Sequence, residues 1–260
     1  MAMTISTVTP TGMVTVMRTE QSTVAGQGGG DDLALLGLLQ LVSPALPIGA
    51  FAFSQGLESA FELGWVSDEA SLGEWLEGVL EDGLTRCELP VLARLQTAWA
   101  AGDGEAVVEW DRWLAANRET AELAAEDARL GASLIRLLGS LDLLPNCPEK
   151  SPSGALPALP PGAGYVTAFA WTAHVRGVPV RQALLGFAWA WLENQLAVAC
   201  KALPLGHTSA QRLVERLRPA LVTAVDEALA VEEDELGPVL PGLALASALH
   251  ETQYSRLFRS

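Results

Sequence analysis

Three histidines are the residues of this chain best suited to acid–base chemistry or metal binding: His174, His207 and His250. They lie in different segments, and the chain contains no HExxH, GxSxG, GxGxxG or GxxxxGK[ST] pattern. A lone histidine on a helix is more often a hydrogen-bonded structural residue than a metal ligand. We therefore expect no catalytic residues, no cofactor and no enzymatic activity.

The cysteines give no sign of a metal centre either. Cys87, Cys147 and Cys200 are odd in number and far apart, and no CxxC pair is present. This pattern predicts neither a disulfide framework nor a structural zinc site. The amino terminus lacks a basic start followed by an apolar stretch, so we expect a cytoplasmic protein.

The charge of the chain restricts its partners. It has 31 acidic and 16 basic residues and a formal net charge of -15. Nucleic acids and anionic membrane surfaces are bound through Lys and Arg, so neither is an expected partner. A basic protein surface or a cation would be attracted at long range.

One polar interruption stands out near the start of the chain. The stretch LVSPALPIGAFAFSQGLESA (residues 41–60) places two prolines, two glycines, Ser43, Ser54, Gln55 and Glu58 within an apolar region. One interpretation is a buried corner between helices, where the polar side chains satisfy broken backbone bonds. The other is a groove that receives a partner. Physical reasoning alone favours the corner.

The carboxy-terminal sequence HETQYSRLFRS, residues 250–260, also has two interpretations. It is either a frayed, exposed terminus or a binding segment, because Tyr, Phe and Arg are enriched where interfaces carry their energy. We expect it to have few internal partners. Its deletion should then leave the helices intact.

The element around which the others should pack is a helix from Pro179 to Leu203. It is apolar on nearly every face up to Leu192, and such helices lie in the interior of proteins. Its ten uncharged residues from Ala183 are too few to span a bilayer, which needs about 20. The polar residues 193–195 form either a buried hydrogen-bond network or a point where the helix reaches the surface.

Helical periodicity recurs along most of the chain. We expect helices at Leu33–Val42 and Ala50–Glu62, a capping box of Ser71 with Glu74, and a long helix capped by Thr208 or Ser209. No segment alternates like a strand. These patterns predict an all-α fold, one globular domain of about ten helices.

Two stretches should lie outside the regular helices. Residues 1–30 are rich in Thr, Ser and Gly, and we expect a disordered tail, so that the domain covers 31–260. Residues 145–164 are rich in proline and have no helical period, which predicts an exposed connection.

Three stretches together resemble the UreF family of urease accessory proteins. They are LLQLVSPALPIGAFAFSQGLESAFELGWV (residues 38–66), CKALPLGHTSAQRLVERLRPAL (residues 200–221) and the terminal HETQYSRLFRS. Their order and separation fit the family from about Leu33 onward. The resemblance implies an all-α, homodimeric, non-catalytic maturation factor. Its partners would be the accessory protein UreD or UreH, the GTPase UreG and apo-urease, into which the assembly inserts nickel.

The resemblance also implies functional positions. Those expected to bind partners are His250, Glu251, Tyr254, Arg256, Leu257, Phe258, Arg259, Ser260 and Lys201. Those matching the amino-terminal motif are Ser43, Pro44, Pro47, Gly49, Ser54, Gln55, Gly56 and Glu58.

Departures from the family pattern leave alternatives open. His207 stands where the family commonly has Gln, which makes it a weak candidate nickel ligand. A GTPase-activating role with an arginine finger from Arg256 or Arg259 is one alternative. Direct nickel carriage is another, although the separated histidines and cysteines do not form a preassembled site.

Overall fold

The computed structural model describes residues 28–144, 158–203 and 205–259, and these residues form helices and no strand. The all-α prediction is confirmed. The helices are α1 (Gly28–Leu41), α2 (Leu57–Glu62), α3 (Glu69–Val79), α4 (Glu88–Ala101), α5 (Gly104–Ala116), α6 (Ala121–Ser140), α7 (Tyr165–Val175), α8 (Val180–Ala202), α9 (His207–Ala230) and α10 (Pro241–His250).

Helix α8 is the central element, as expected. Pro179 stands at its N-cap, and the helix buries residues along its whole length against α2, α4 and α9. A helix with apolar residues on all sides loses water contact most fully when other helices surround it. Among the described residues, no helix is both long and apolar enough to cross a membrane.

Of the two alternatives for residues 193–195, the buried network is correct for two of them. Asn194 donates its side-chain amide to the carbonyl of Phe53 at 3.2 Å, and Gln195 donates to the side-chain oxygen of Gln55 at 3.1 Å. These bonds attach the corner at residues 53–56 to the middle of α8.

The expected single helix over Ala50–Glu62 is wrong. A short 3-10 turn covers Ala50–Ala52, and α2 begins only at Leu57. The backbone between them passes through left-handed conformations, with φ of 54° at Gln55 and 77° at Gly56. Such φ values cannot continue a right-handed helix.

Other helix ends also differ from the expectations. Helix α1 begins at Gly28, within the expected disordered tail, and α3 is capped by a reciprocal pair of Asp68 and Ser71. Helix α9 starts at His207 after Gly206, ahead of the expected caps. Short polar side chains compete for such positions, and local sequence does not decide which one wins.

The proline-rich connection is only partly described, because residues 1–27 and 145–157 lie outside the described residues. The remainder, residues 158–164, is not wholly exposed as expected. Pro160 is buried, and Ala163 is 1% exposed. This end of the connection therefore packs into the body before α7 starts.

Helix α1 has one face against the body and another in solvent. Ala34, Leu38 and Leu41 are buried. The solvent face carries four leucines, which we call the α1 face: Leu33, Leu35, Leu36 and Leu39, exposed by 71%, 50%, 61% and 54%. Several large apolar side chains exposed side by side indicate a surface that another molecule covers.

Candidate functional site

The two motifs from opposite ends of the chain meet in one place. Glu58 of α2 is 6% exposed, and its carboxylate accepts the backbone N–H groups of Leu257 at 2.7 Å and Phe258 at 3.0 Å. These bonds hold the C-terminal segment, which we define as residues 250–259, against α2. Charge-assisted bonds of this kind are stronger than neutral ones.

His250, the first residue of this segment, is fully buried between two carboxylates. Its Nε2 lies 3.1 Å from Glu58 Oε2, and its Nδ1 lies 2.8 Å from Glu122 Oε2 on α6. Glu122 also pairs with Arg256 at 2.8 Å. We call Glu58, His250 and Glu122 the clasp, because together they join α2, α6 and α10.

Further contacts attach the segment to the body. Ser59 donates its hydroxyl to the side-chain oxygen of Gln253 at 3.0 Å, and the Arg259 N–H donates to the carbonyl of Ala52 at 2.8 Å. The Lys201 ammonium lies 4.4 Å from the centre of the Phe258 ring. Phe258 itself is 6% exposed.

These contacts correct the expectation of a segment with few internal partners. His250 and Phe258 are buried in the body, so they act within the chain. By contrast, Tyr254 is 106% exposed and Leu257 is 56% exposed. Glu251 and Arg259 are exposed as well. The segment thus has a buried side that fixes its backbone and an open side that carries large side chains.

Gly56 allows α10 to approach α2 closely. With φ of 77°, a Cβ at this position would lie 3.1 Å from the backbone N of Ser247. Only glycine combines this backbone conformation with this approach. Ser247 also shares a hydrogen bond of 2.7 Å with Thr120, which brings the start of α6 to α10.

Gln55 connects the corner to two long helices. Its side-chain oxygen accepts from Trp191 Nε1 and Gln195 Nε2, both at 3.1 Å, and its amide donates to Glu126 at 2.8 Å. A non-glycine residue at φ of 54° persists where the surroundings hold it. The stretch is a corner between helices, but Gln55 bonds side chains of α6 and α8 and does not satisfy the broken backbone bonds as expected.

A cavity of about 510 Å³ lies beside this corner. Its wall includes residues of the amino-terminal motif, among them Ser43, Pro44 and Gln55. The ionisable or metal-binding groups of the wall are Glu88, Arg118, Glu126, Asp127, Tyr165, Glu193, Cys200 and His207. This cavity fits the groove interpretation. Gln55, whose backbone interrupts the helix, nevertheless has its side chain bonded within the corner.

Buried charges form one side of this cavity. Arg118 pairs with Glu88 and, at 3.0 Å, with Asp127. Burial lowers the pKa of the Arg118 guanidinium, but the two carboxylates outweigh it, and the net pKa is raised. Burial raises the pKa of the Asp127 carboxyl more than Arg118 lowers it. Arg118 thus shares its single positive charge between two carboxylates inside the protein.

The remaining predicted positions are more dispersed. Ser43 accepts the backbone N–H of Ala45 at 3.2 Å, and Pro44 and Pro47 are exposed. Gly49 has a φ of 82° before the 3-10 turn, and Ser54 is fully buried. Ser260 lies outside the described residues.

His207 is exposed at the first residue of α9. Within the described part of the chain, no group of three or more His, Cys, Asp or Glu side chains is arranged to hold a metal ion.

Sequence reasoning missed two residues of this site, Glu122 and Glu126. They lie one turn apart on α6, and each contacts one of the sites described above, Glu122 the clasp and Glu126 the Gln55 corner. Their spacing of four residues was visible in the sequence. Glutamates four residues apart are nevertheless typical of a solvated helix face, so the pattern alone would not have identified them.

Comparison with known proteins supports the resemblance. The UreF family model matches residues 66–218. A urease accessory protein UreF from Marinobacter nauticus is 72% identical over 231 residues, covering 89% of this chain and 96% of that protein. One from Psychrobacter cryohalolentis is 73% identical over 229 residues, covering 88% and 95%. One from Pseudomonas putida is 46% identical over 231 residues, covering 88% and 99%.

The matched range 66–218 includes α8, α4 and the first half of α9, and the relatives extend the similarity over most of the remaining chain. A family model that covers more than half of a chain, together with relatives of this identity and coverage, leaves one assignment. The chain belongs to the UreF family of urease accessory proteins.

Proposed function

We propose that this chain is a urease maturation factor that acts by docking. It bridges the GTPase UreG to UreD/UreH and apo-urease, and so helps insert nickel into the urease active site. Family membership supports the role in urease maturation. The bridging role and the particular partners are the proposed part.

One observation carries the proposal. Glu58 fixes the backbone of the C-terminal segment, and the side chains of Tyr254 and Leu257 are exposed to solvent. A preordered segment loses little conformational freedom on binding, so more of the contact energy appears as affinity. Exposed tyrosine and arginine are typical of the residues that anchor an interface, and Leu257 adds apolar surface beside them.

Docking also explains the distribution of roles within the segment. Arg256 is 39% exposed in its side chain but already pairs with Glu122. Arg259 is exposed and attaches to the body only through its backbone in the contacts described above. Lys201, expected on the partner surface, instead contacts the ring of Phe258 and so helps hold the segment to the body.

The co-purification test uses the open side of the segment alone. UreD/UreH and UreG are captured with the full chain, with a Tyr254→Ala/Leu257→Ala variant, and with Val222→Ala/Leu229→Ala as the control. The control residues are 43% and 46% exposed on α9, which supplies none of the segment contacts described above. We expect capture by the wild type and the control and none by the Tyr254/Leu257 variant. Capture by all three would overturn the proposal.

A GTPase-activating role is the first alternative, and Arg259 is its better candidate because Arg256 is held by Glu122. The variant R259A separates the two mechanisms. If complex formation survives while stimulated GTP hydrolysis is lost, Arg259 acts as an arginine finger. If the complex does not form, docking alone accounts for the residue.

The α1 face supports the proposed homodimer. Its four leucines are 50–71% exposed, so each would contribute roughly 1 to 2 kcal/mol if a second copy buried the rest. A symmetric contact uses the same surface on both protomers, so one apolar helix face is sufficient.

Direct nickel carriage is the second alternative, although no group of metal-binding side chains in the described residues, the cavity wall included, is arranged to hold an ion. Equilibrium dialysis of the purified chain with nickel tests it. Tight stoichiometric binding would contradict a purely docking role, and His207→Gln would show whether that residue contributes.

The proposed setting is the cytoplasm, without nucleic acid or membrane as partners. The net charge of -15 supports the absence of nucleic-acid and membrane partners, because a negative surface is repelled by phosphate groups.

A further inference from the structure

Phe51 belongs both to the wall of the cavity and to the surface of the protein. It lines the cavity, and it is nevertheless 69% exposed. A residue with both properties lies at the mouth, where the cavity meets solvent. The carbonyl of the next residue, Ala52, accepts the Arg259 N–H at 2.8 Å. The end of the C-terminal segment is therefore bonded to the body one residue away from the mouth.

A second residue of the wall is also adjacent to a contact of the segment. Cys200 lines the cavity and is half-buried. The ammonium of the next residue, Lys201, lies 3.4 Å from the carbonyl oxygen of Leu257 and 4.4 Å from the centre of the Phe258 ring. The corner and the end of α8 thus both hold the segment beside the cavity. Residues 257–259 run along its rim.

The mouth and the open side of the segment both expose large side chains. Phe51 is 69% exposed, Leu257 56% and Tyr254 106%. Residues that dominate binding energy are often aromatic and lie beside well-packed pockets. An exposed phenylalanine at a cavity mouth, next to an exposed segment, therefore suits one continuous contact better than two separate ones.

The wall of the cavity indicates what kind of group it can receive. Its volume of about 510 Å³ is ample for a long side chain, and much of its wall is apolar, including Leu46, Phe187 and Trp191. The charged side chains of the wall are four carboxylates and one guanidinium: Glu88, Glu126, Asp127, Glu193 and Arg118. Arginine and lysine combine an apolar stem with a positive end, so they match both properties.

We propose that the docking surface of the C-terminal segment continues across Phe51 to the mouth of the cavity, where the docked partner inserts an arginine or lysine side chain. The inference rests on the function proposed above, in which that partner is UreD/UreH. It adds Phe51 to the residues that anchor the partner. It also assigns the cavity a ligand, a basic side chain of another protein.

Phe51→Ala tests the anchor. Because Phe51 is largely exposed, its truncation should leave the unfolding temperature unchanged. In a calorimetric titration with purified UreD/UreH, we expect the dissociation constant to rise by about tenfold or more, as for other interface anchors. Leu229→Ala, at a 46% exposed position of α9, should bind like the wild type. Equal dissociation constants for F51A and the wild type would overturn the inference.

Alkylation of Cys200 measures whether the partner covers the mouth. The full chain is treated with N-ethylmaleimide alone and with saturating UreD/UreH, and peptide mass spectrometry follows the modification of Cys200. We expect the rate to fall by about tenfold or more in the complex, because the reaction needs access to the thiolate. A thiol introduced on α9 by Leu229→Cys should react at the same rate in both samples. An unchanged rate at Cys200, or no reaction in the free chain, would contradict the proposal.

Glu193→Gln tests the charge of the inserted side chain. It removes one negative charge from the wall and nearly preserves the shape of the side chain. We expect the dissociation constant for UreD/UreH to rise about three- to fivefold, the effect of one partly solvated charge pair. Glu227→Gln, the same change at an exposed position of α9, should have no such effect. Equal constants for E193Q and the wild type would rule out the basic side chain.

Failure of this inference can be told apart from failure of the proposed function. Binding by F51A but not by the Tyr254→Ala/Leu257→Ala variant would exclude the cavity from the interface and leave docking through the segment intact. Wild-type binding by both variants would overturn docking through this surface as a whole. No binding by the wild type would overturn the inference and the proposed function together.

Discussion

Among the described residues, the α1 face and the C-terminal segment both expose large side chains to solvent, and they differ in construction. The α1 face consists of four leucines on a regular helix. The C-terminal segment is irregular backbone held by carboxylates, with a tyrosine, a leucine and an arginine in solvent. An aliphatic helix face suits a permanent contact with a second copy. A polar, fixed segment suits a partner that binds and leaves.

Glu58→Ala should have the largest effect and acts on the segment. It leaves two backbone N–H groups and His250 without their shared acceptor, in a site that is 6% exposed. Each buried N–H group left without its acceptor costs about 1 to 3 kcal/mol. Urea unfolding should show a loss of this size. Glu62→Ala, at the exposed end of the same helix, should change little, and equal losses in both would refute the role of the clasp.

Leu36→Arg should break the other surface. Leu36 is 61% exposed at the α1 face, so the substitution costs the isolated protomer little but places a charge in the proposed dimer contact. We expect the dimer dissociation constant to rise by at least 100-fold, or about 2.7 kcal/mol, in sedimentation equilibrium. Leu229→Arg, the same substitution at a 46% exposed position of α9, serves as the control. An unchanged dimer would move the interface elsewhere.

Gly56→Ala sharpens the comparison by testing how closely α10 must approach α2. It combines the cost of a positive φ with a contact of 3.1 Å to Ser247, and we expect a loss of about 1 to 3 kcal/mol. Gly102→Ala has a similar φ of 71° but nothing within 4 Å, so it reports the backbone cost alone. Thermal unfolding should show the larger loss for G56A. Equal losses would mean that α10 shifts away from the added methyl group at little cost in free energy.

Lys201→Met should have the smallest effect. It removes the ammonium above the Phe258 ring while keeping a long apolar side chain. An exposed cation–π contact contributes about 0.5 to 1 kcal/mol. Arg136→Met on α6 removes one exposed charge elsewhere on the surface and controls for net charge. A matching loss in both variants would show that the ring contact adds nothing.

The same two regions show what the sequence allowed us to predict. The α8 helix was identified from its own residues, because a helix that is apolar on all sides is buried in the protein interior. The clasp could not be identified this way. His250 and Glu122 are separated by 128 positions, and His250 and Glu58 by 192, so only the fold brings them together.

The errors have a related cause. The apolar period from Ala50 to Glu62 is helical in spacing, yet α2 begins at Leu57, because Gln55 turns to bond Glu126, Trp191 and Gln195. Those partners come from α6 and α8. Tertiary hydrogen bonds outweighed the local preference, which a reading of adjacent residues does not include.

The C-terminal segment was misjudged for a different reason. Its composition correctly suggested large side chains at a surface, since Tyr254 and Leu257 are exposed. Composition could not show that His250 and Phe258 of the same segment face inward. A deletion of residues 250–260 should therefore cost stability as well as binding, contrary to the expectation from sequence.

The most direct test of docking through this segment is a calorimetric titration of purified UreD/UreH with the full chain and its Tyr254→Ala/Leu257→Ala variant. Both side chains are exposed and leave the clasp untouched. We expect the unfolding temperature of the variant to match that of the wild type while its dissociation constant rises by about 100-fold or more, the loss of at least one interface anchor. Equal dissociation constants for the two proteins would contradict the account.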